Sequence, residues 1–121
     1  MARRKESPIE ELIPLPLPVF HMLLALSEGE RHGYALKREI QHRTNGRLNL
    51  GSGALYGSIN KMLEQGFVEE SEERPDRHLD DERRRYYRIT PLGLRVAQAE
   101  AARLRQLVRL ADDSLGLSEP A

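Results

Sequence analysis

The chain has no cysteine and no tryptophan, and its aromatic residues amount to four Tyr and two Phe among 121 residues. Without thiols it can form neither a disulfide nor a thiolate metal site. With so few rings, Leu, Ile, Val and Ala must fill the core. Charge of one sign is also missing. There are 19 basic and 19 acidic residues, a net charge of zero where a basic excess is usual for a nucleic-acid binder. Apolar runs long enough to span a membrane do not occur. The opening MARRKESPIEE lacks the apolar core of a signal peptide, and Pro14, Pro16 and Pro18 interrupt the next segment. These absences point to a cytoplasmic, single-domain protein.

The balance of charge is not uniform along the chain. Arg31, Lys37, Arg38, Arg43 and Arg47 fall in one stretch with only Glu30 and Glu39 beside them. Arg83, Arg84, Arg85 and Arg88 form a second basic cluster, and Glu69, Glu70, Glu72 and Glu73 lie between the two. Zero overall therefore does not mean zero on each surface.

The elements emerge from periodicity and punctuation. Residues 1–16 read as a basic arm and a short helical turn around Ile9 to Ile13, ended by Pro14, with LPLP extended. A nearly all-apolar helix runs from Pro18 through VFHMLLALSEG, and Gly29 is expected to end it. YALKREIQHR is a second helix, with Tyr34, Leu36 and Ile40 expected on one side and Asn45-Gly46 as the turn after it. In the third, GSGALYGSINKMLEQG, Leu55, Ile59, Met62 and Leu63 recur at helical spacing, Ser52 is placed to cap the start, and Gly66 ends it. FVEESEE and RRRYYRIT are β-favouring and form a hairpin with a long polar tip, Tyr87 and Ile89 on one face, Tyr86 and Arg88 on the other. Thr90-Pro91 starts a last helix, to about Asp113. Leu94, Ala97, Ala101, Leu104, Val108, Ala111 and Leu115 make a three-four seam along it, widened by Leu107 and Leu110.

Three helices and a hairpin form a winged helix-turn-helix, a mainly α fold with a small β-hairpin, extended here by a C-terminal dimerisation helix. The third helix would lie in the major groove of double-stranded DNA. Its outward face carries Gly53, Gly57, Asn60, Lys61 and Glu64. Two glycines inside a helix cost about 1 kcal/mol each relative to alanine. Bare backbone on that face lets the helix approach a duplex closely. Asn60 and Lys61 can bond bases or phosphates, and Ser52 with the helix start can hold a phosphate. Tyr56, at the edge of the buried face, can contact a phosphate or pack with its hydroxyl at the rim. Arg83, Arg84 and Arg85 can reach the DNA backbone from the wing, or pair with Asp80, Asp81 and Glu82. The four histidines show no ligand spacing, and no nucleophile has a convincing base, so no metal, cofactor or enzymatic activity is expected.

With these pieces assembled, HGYALKREI, LGSGALYGSINKMLEQGFVEE and RRRYYRITPLG resemble the PadR family of bacterial transcriptional regulators over about residues 18–110. The most specific parts are Gly53, Ala54, Leu55 and Tyr56, the Gly66 turn, and the Tyr-Tyr-x-x-Thr-x-x-Gly pattern at Tyr86, Tyr87, Thr90 and Gly93. The resemblance implies a homodimeric repressor of the short subfamily with one C-terminal dimerisation helix. Residues 17–90 would be the DNA-binding domain, 91–115 the dimerisation helix and 116–121 a flexible tail. The operator would be an inverted repeat. Ala54 stands where the family often has Thr, and Gly57 where it often has Pro. A small hydrophobic or aromatic effector would be placed where Phe20 and Met22 of the first helix meet Leu107 and Leu110 of the last. A winged-helix module that binds protein rather than DNA is the competing reading.

Overall fold

The computed structural model describes residues 8–71 and 85–117. A 3-10 turn, Ile9–Leu12, leads into an extended Pro-rich segment and helix α1, Leu17–Leu26. Pro18 sits in the first turn of α1, where a missing N–H does no harm. The helix stops at Leu26 and not at Gly29. Ser27 closes it, its N–H donating to the Leu23 carbonyl and its hydroxyl to that of Leu24. Strand β1, Arg31–His32, comes next, then α2, Gly33–Arg43. His32 caps α2, its Nδ1 accepting the Ala35 N–H at 3.1 Å. Asn45 and Gly46, both at positive φ, turn the chain toward α3, Ser52–Gln65. Gly66 ends α3 in the left-handed conformation that glycine accepts without strain, at φ 81°.

Strands β2, Val68–Ser71, and β3, Tyr86–Ile89, pair antiparallel with Val68 opposite Ile89 and Glu70 opposite Tyr87. β1 adds to the other side of β3, Arg31 opposite Tyr87, so the order is β1-β3-β2. The sequence predicts only a turn at this third strand. Tyr86 is buried as well as Tyr87, its ring meeting His32 edge-on at 5.4 Å.

α4, Pro91–Leu115, closes the domain. Thr90 fixes its start by two bonds: its hydroxyl donates to the Gly66 carbonyl at 2.6 Å and accepts the Gly93 N–H at 3.0 Å. Gly93 lies directly on the Phe67 backbone. Met22, Leu23, Leu36, Ile40, Ile59, Met62, Phe67 and Val96 form the sealed core. Glu100 is buried beside them. It accepts a backbone hydrogen bond from Leu15 and both guanidinium arms of Arg103, at 2.8 and 2.9 Å. The Arg103 bonds hold its carboxyl below the ordinary range against the burial that raises it. The carboxylate thus ties the Pro-rich segment to α4.

Candidate nucleic-acid interface

α3 buries Leu55, Ile59 and Met62 and half-buries Leu63, which fixes the direction of its other face. Gly53, Gly57, Asn60, Lys61 and Glu64 are all exposed there. A Cβ built on Gly53 or Gly57 meets nothing within 4 Å. Packing among the described residues therefore does not require either glycine. Both have helical φ, so neither turn geometry nor positive φ explains them. Asn60 and Lys61 have no hydrogen-bond or acidic partner among the described residues.

Ser52 does not cap α3. The cap is Gly51, with no side-chain hydrogen bond, and Ser52 is the first helical residue with its side chain exposed. The reason is one of register: Gly51 already has the extended ψ of 167° that a cap needs. The amide groups at the start of α3 thus lack a side-chain acceptor, and the Ser52 hydroxyl remains outside.

Tyr56 is 44% exposed and its ring lies across Gly33. A Cβ at position 33 would stand 2.5 Å from the Tyr56 hydroxyl oxygen. The side chain packs at the rim, and its hydroxyl reaches the start of α2. No sequence signal marks Gly33 for this contact. Tyr34 is also misplaced by sequence alone. Expected beside Leu36 and Ile40, it is 56% exposed while those two are sealed. Residues two apart on a helix cannot share a face.

On the wing, Arg83 and Arg84 lie outside the described residues. Arg85 is described, and it contacts the Glu70 carboxylate at 3.2 Å. Arg88 bonds Glu69 at 2.7 Å and approaches Glu30 at 3.7 Å. Glu69 stands directly opposite Arg88, whereas Glu70 stands opposite Tyr87 and meets Arg85 diagonally, so the two pairs lie on opposite faces of the hairpin. The Arg85–Glu70 pair is exposed on both sides, so it contributes at most about 1 kcal/mol to stability. Glu70→Gln should therefore leave the unfolding midpoint nearly unchanged, free Arg85, and steepen the salt dependence of duplex binding by about one unit. Titration of labelled duplex over a salt series checks this, and an unchanged slope would show that Arg85 does not reach phosphate.

Along α4 the structure divides the expected seam. Ala97 is buried against the domain's own core, next to Val96, and is not available to a partner. Ala101, Leu104 and Ala111 are half-buried. Leu94, Leu107, Val108, Leu110 and Leu115 are exposed. At the expected effector junction, Met22 is sealed in the core, so it cannot line an open site. Phe20 is partly buried, and Leu107 and Leu110 face outward. Among the described residues no group of three His, Asp or Glu could hold a metal ion. No described helix is long and apolar enough to cross a membrane.

A three-helix core, a small antiparallel sheet ending in a wing and an exposed, glycine-bearing third helix define a winged-helix protein. The model of the transcriptional regulator PadR-like family matches residues 22–99, and the chain belongs to that family of transcriptional regulators. Among solved structures, a transcriptional regulator from Clostridium thermocellum superposes with a TM-score of 0.66 at 22% identity, covering 79% of this chain and 87% of that one. RosR of H. salinarum superposes with a TM-score of 0.62 at 24% identity, covering 88% of this chain and 99% of that one. These likenesses concern the fold. An uncharacterized 37.1 kDa protein in transposon TN4556 of Streptomyces fradiae is 31% identical over 86 residues, 71% of this chain. This chain spans 22% of that protein's length.

Proposed function

We propose that this chain is a homodimeric, sequence-specific DNA-binding repressor that reads an inverted-repeat operator with the outward face of α3. One observation carries the reading: Gly53 and Gly57 leave bare helix backbone that no described residue covers, beside Asn60 and Lys61, which have no partner among the described residues. A protein surface in search of stability would place alanine there. A surface that must meet another backbone would not. Asn60 is suited to base edges and Lys61 to phosphate.

A second copy is the partner for the distal half of α4. Leu107, Val108, Leu110 and Leu115 are exposed together beyond the point where Val96 and Ala97 enter the core. A contiguous apolar surface of this kind marks an interface. Two-fold pairing through it would set two α3 helices for half-sites about one helical turn, or a small multiple, apart. Because Leu107 is exposed, Leu107→Asp should keep the fold and yield monomers in sedimentation, with operator binding weakened. A wild-type protein that sediments as a stable monomer would contradict the dimer. If a small hydrophobic or aromatic effector releases the DNA, Phe20, Leu107 and Leu110 are the residues left to meet it.

The wing supports the rival reading of a protein-binding module, since Arg85 and Arg88 already face carboxylates and the net charge is zero. A gel shift with the region upstream of the protein's own gene, against a competitor duplex at one fixed salt, separates the two. The repressor reading expects a shifted band that survives competitor. A module without DNA binding gives none.

A further inference from the structure

We infer that Glu100 is a positioning residue that sets the spacing between the two operator half-sites, by fixing the angle at which α4 leaves the DNA-binding domain. The inference rests on the dimeric, DNA-binding reading above. It adds a residue too deeply buried to touch either DNA or a second copy, at 2% exposure.

Glu100 is the one buried charged residue among the described residues. It is also the last buried residue of α4, and Ala101 to Leu115 are all at least partly exposed. Hydrogen bonds to other elements hold the helix at two places. Thr90 fixes its start on the Gly66 carbonyl. About three turns later Glu100 takes the Leu15 N–H. Leu15 is buried in the core between Pro14 and Pro16, whose fixed φ stiffens the segment, and the chain runs from there directly into α1. Arg103 grips both carboxylate oxygens, at 2.8 and 2.9 Å, and so holds the carboxylate plane.

Stability alone does not call for a carboxylate here. Apolar side chains of similar volume generally serve a buried ion pair's place as well or better. What the charged group adds is direction, because hydrogen bonds weaken steeply off their preferred angles while apolar contacts tolerate sliding. Leverage gives that direction its effect. From Ala101 to Leu115 the helix extends about 22 Å. A tilt of about 10° at Glu100 moves the far end of a helix of this rise by about 4 Å, against about 3.4 Å for one base-pair step. In a dimer joined through the distal half of α4, the angle at Glu100 therefore decides where the two α3 helices stand. A domain free to pivot there can follow both the shift and the turn of about 35° that one added base pair brings.

The test uses the full chain and duplexes carrying two copies of the half-site that wild type selects, inverted, with the spacer varied in single base pairs. Wild type should favour one spacer over its neighbours by about tenfold or more, because a wrong spacer must deform the DNA or the dimer. In Glu100→Met with Arg103→Leu, the urea midpoint and the selected half-site should match wild type, while the spacer preference falls to about threefold or less. Arg103→Gln changes a side chain that is 35% exposed and should give an intermediate preference. If the double variant does not fold, Arg103→Gln decides alone. Folded variants that keep the wild-type spacer preference would overturn the inference. So would variants that lose affinity equally on every spacer, since Glu100 would then only support the fold. Wild type that selects no inverted repeat would instead overturn the reading on which the inference rests.

Discussion

Replacing Gly53 and Gly57 together with alanine is expected to make the protein more stable and poorer at binding DNA. Each substitution removes conformational freedom from the unfolded chain and adds a side chain that meets nothing within 4 Å. Within a helix this stabilises by up to about 1 kcal/mol per site, less at Gly53 in the first turn. The thermal midpoint should rise by several degrees. On the duplex the same two methyl groups would hold the α3 backbone away from the groove floor. Losing one bidentate base contact in this way weakens binding by roughly tenfold or more. Thermal unfolding and duplex titration on the same preparation check both halves. A variant that gains stability and keeps full affinity would show that the glycines do not serve close approach. The opposed signs matter, since a merely damaged protein loses stability and binding together.

Gly93→Ala should have the largest effect on the fold. A Cβ there would overlap the Phe67 carbonyl oxygen, lie 2.9 Å from the Phe67 carbonyl carbon and 3.0 Å from the Ile89 side chain. The obstacle is mostly backbone and cannot rotate away. Relief requires moving the start of α4 off the α3–β2 corner, which would stretch the Thr90 bonds to Gly66 and Gly93. Overpacking of a core typically costs about 1–3 kcal/mol and more where backbone must shift. We expect a loss above about 3 kcal/mol in urea unfolding, or insoluble protein. Gly33→Ala is the contrasting case. Its nearest neighbour is the far end of the half-exposed Tyr56, which can swing out, so stability should change little. Equal, small effects at both positions would contradict the packing described at α4.

Much of the fold is legible in the sequence because the deciding signals are local. The spacing of Leu55, Ile59 and Met62 fixes which side of α3 faces out, and Gly66 and Thr90-Pro91 mark boundaries that the structure keeps. The hidden features depend on distant partners. Arg31–His32 has no alternation to betray a strand, and only the edge of β3 makes it one. Glu100 looks like a surface acid until the Leu15 N–H and Arg103 are placed around it. Ala97 has seam spacing, but with Val96 it is buried in the core of its own domain. The pairing of Arg85 with Glu70 comes from the hairpin register, which no single strand contains.

The central claim is that the outward face of α3 reads DNA sequence. Its most direct test is selection from a randomised duplex library by wild type and by Asn60→Ala, with the bound fragments sequenced. Wild type should select an inverted repeat, its half-site centres about 10 base pairs or a multiple apart. Asn60→Ala should relax the same position in both half-sites and leave the remainder of the motif intact. Wild-type selection that enriches no sequence, or an identical motif from both proteins, would contradict the claim.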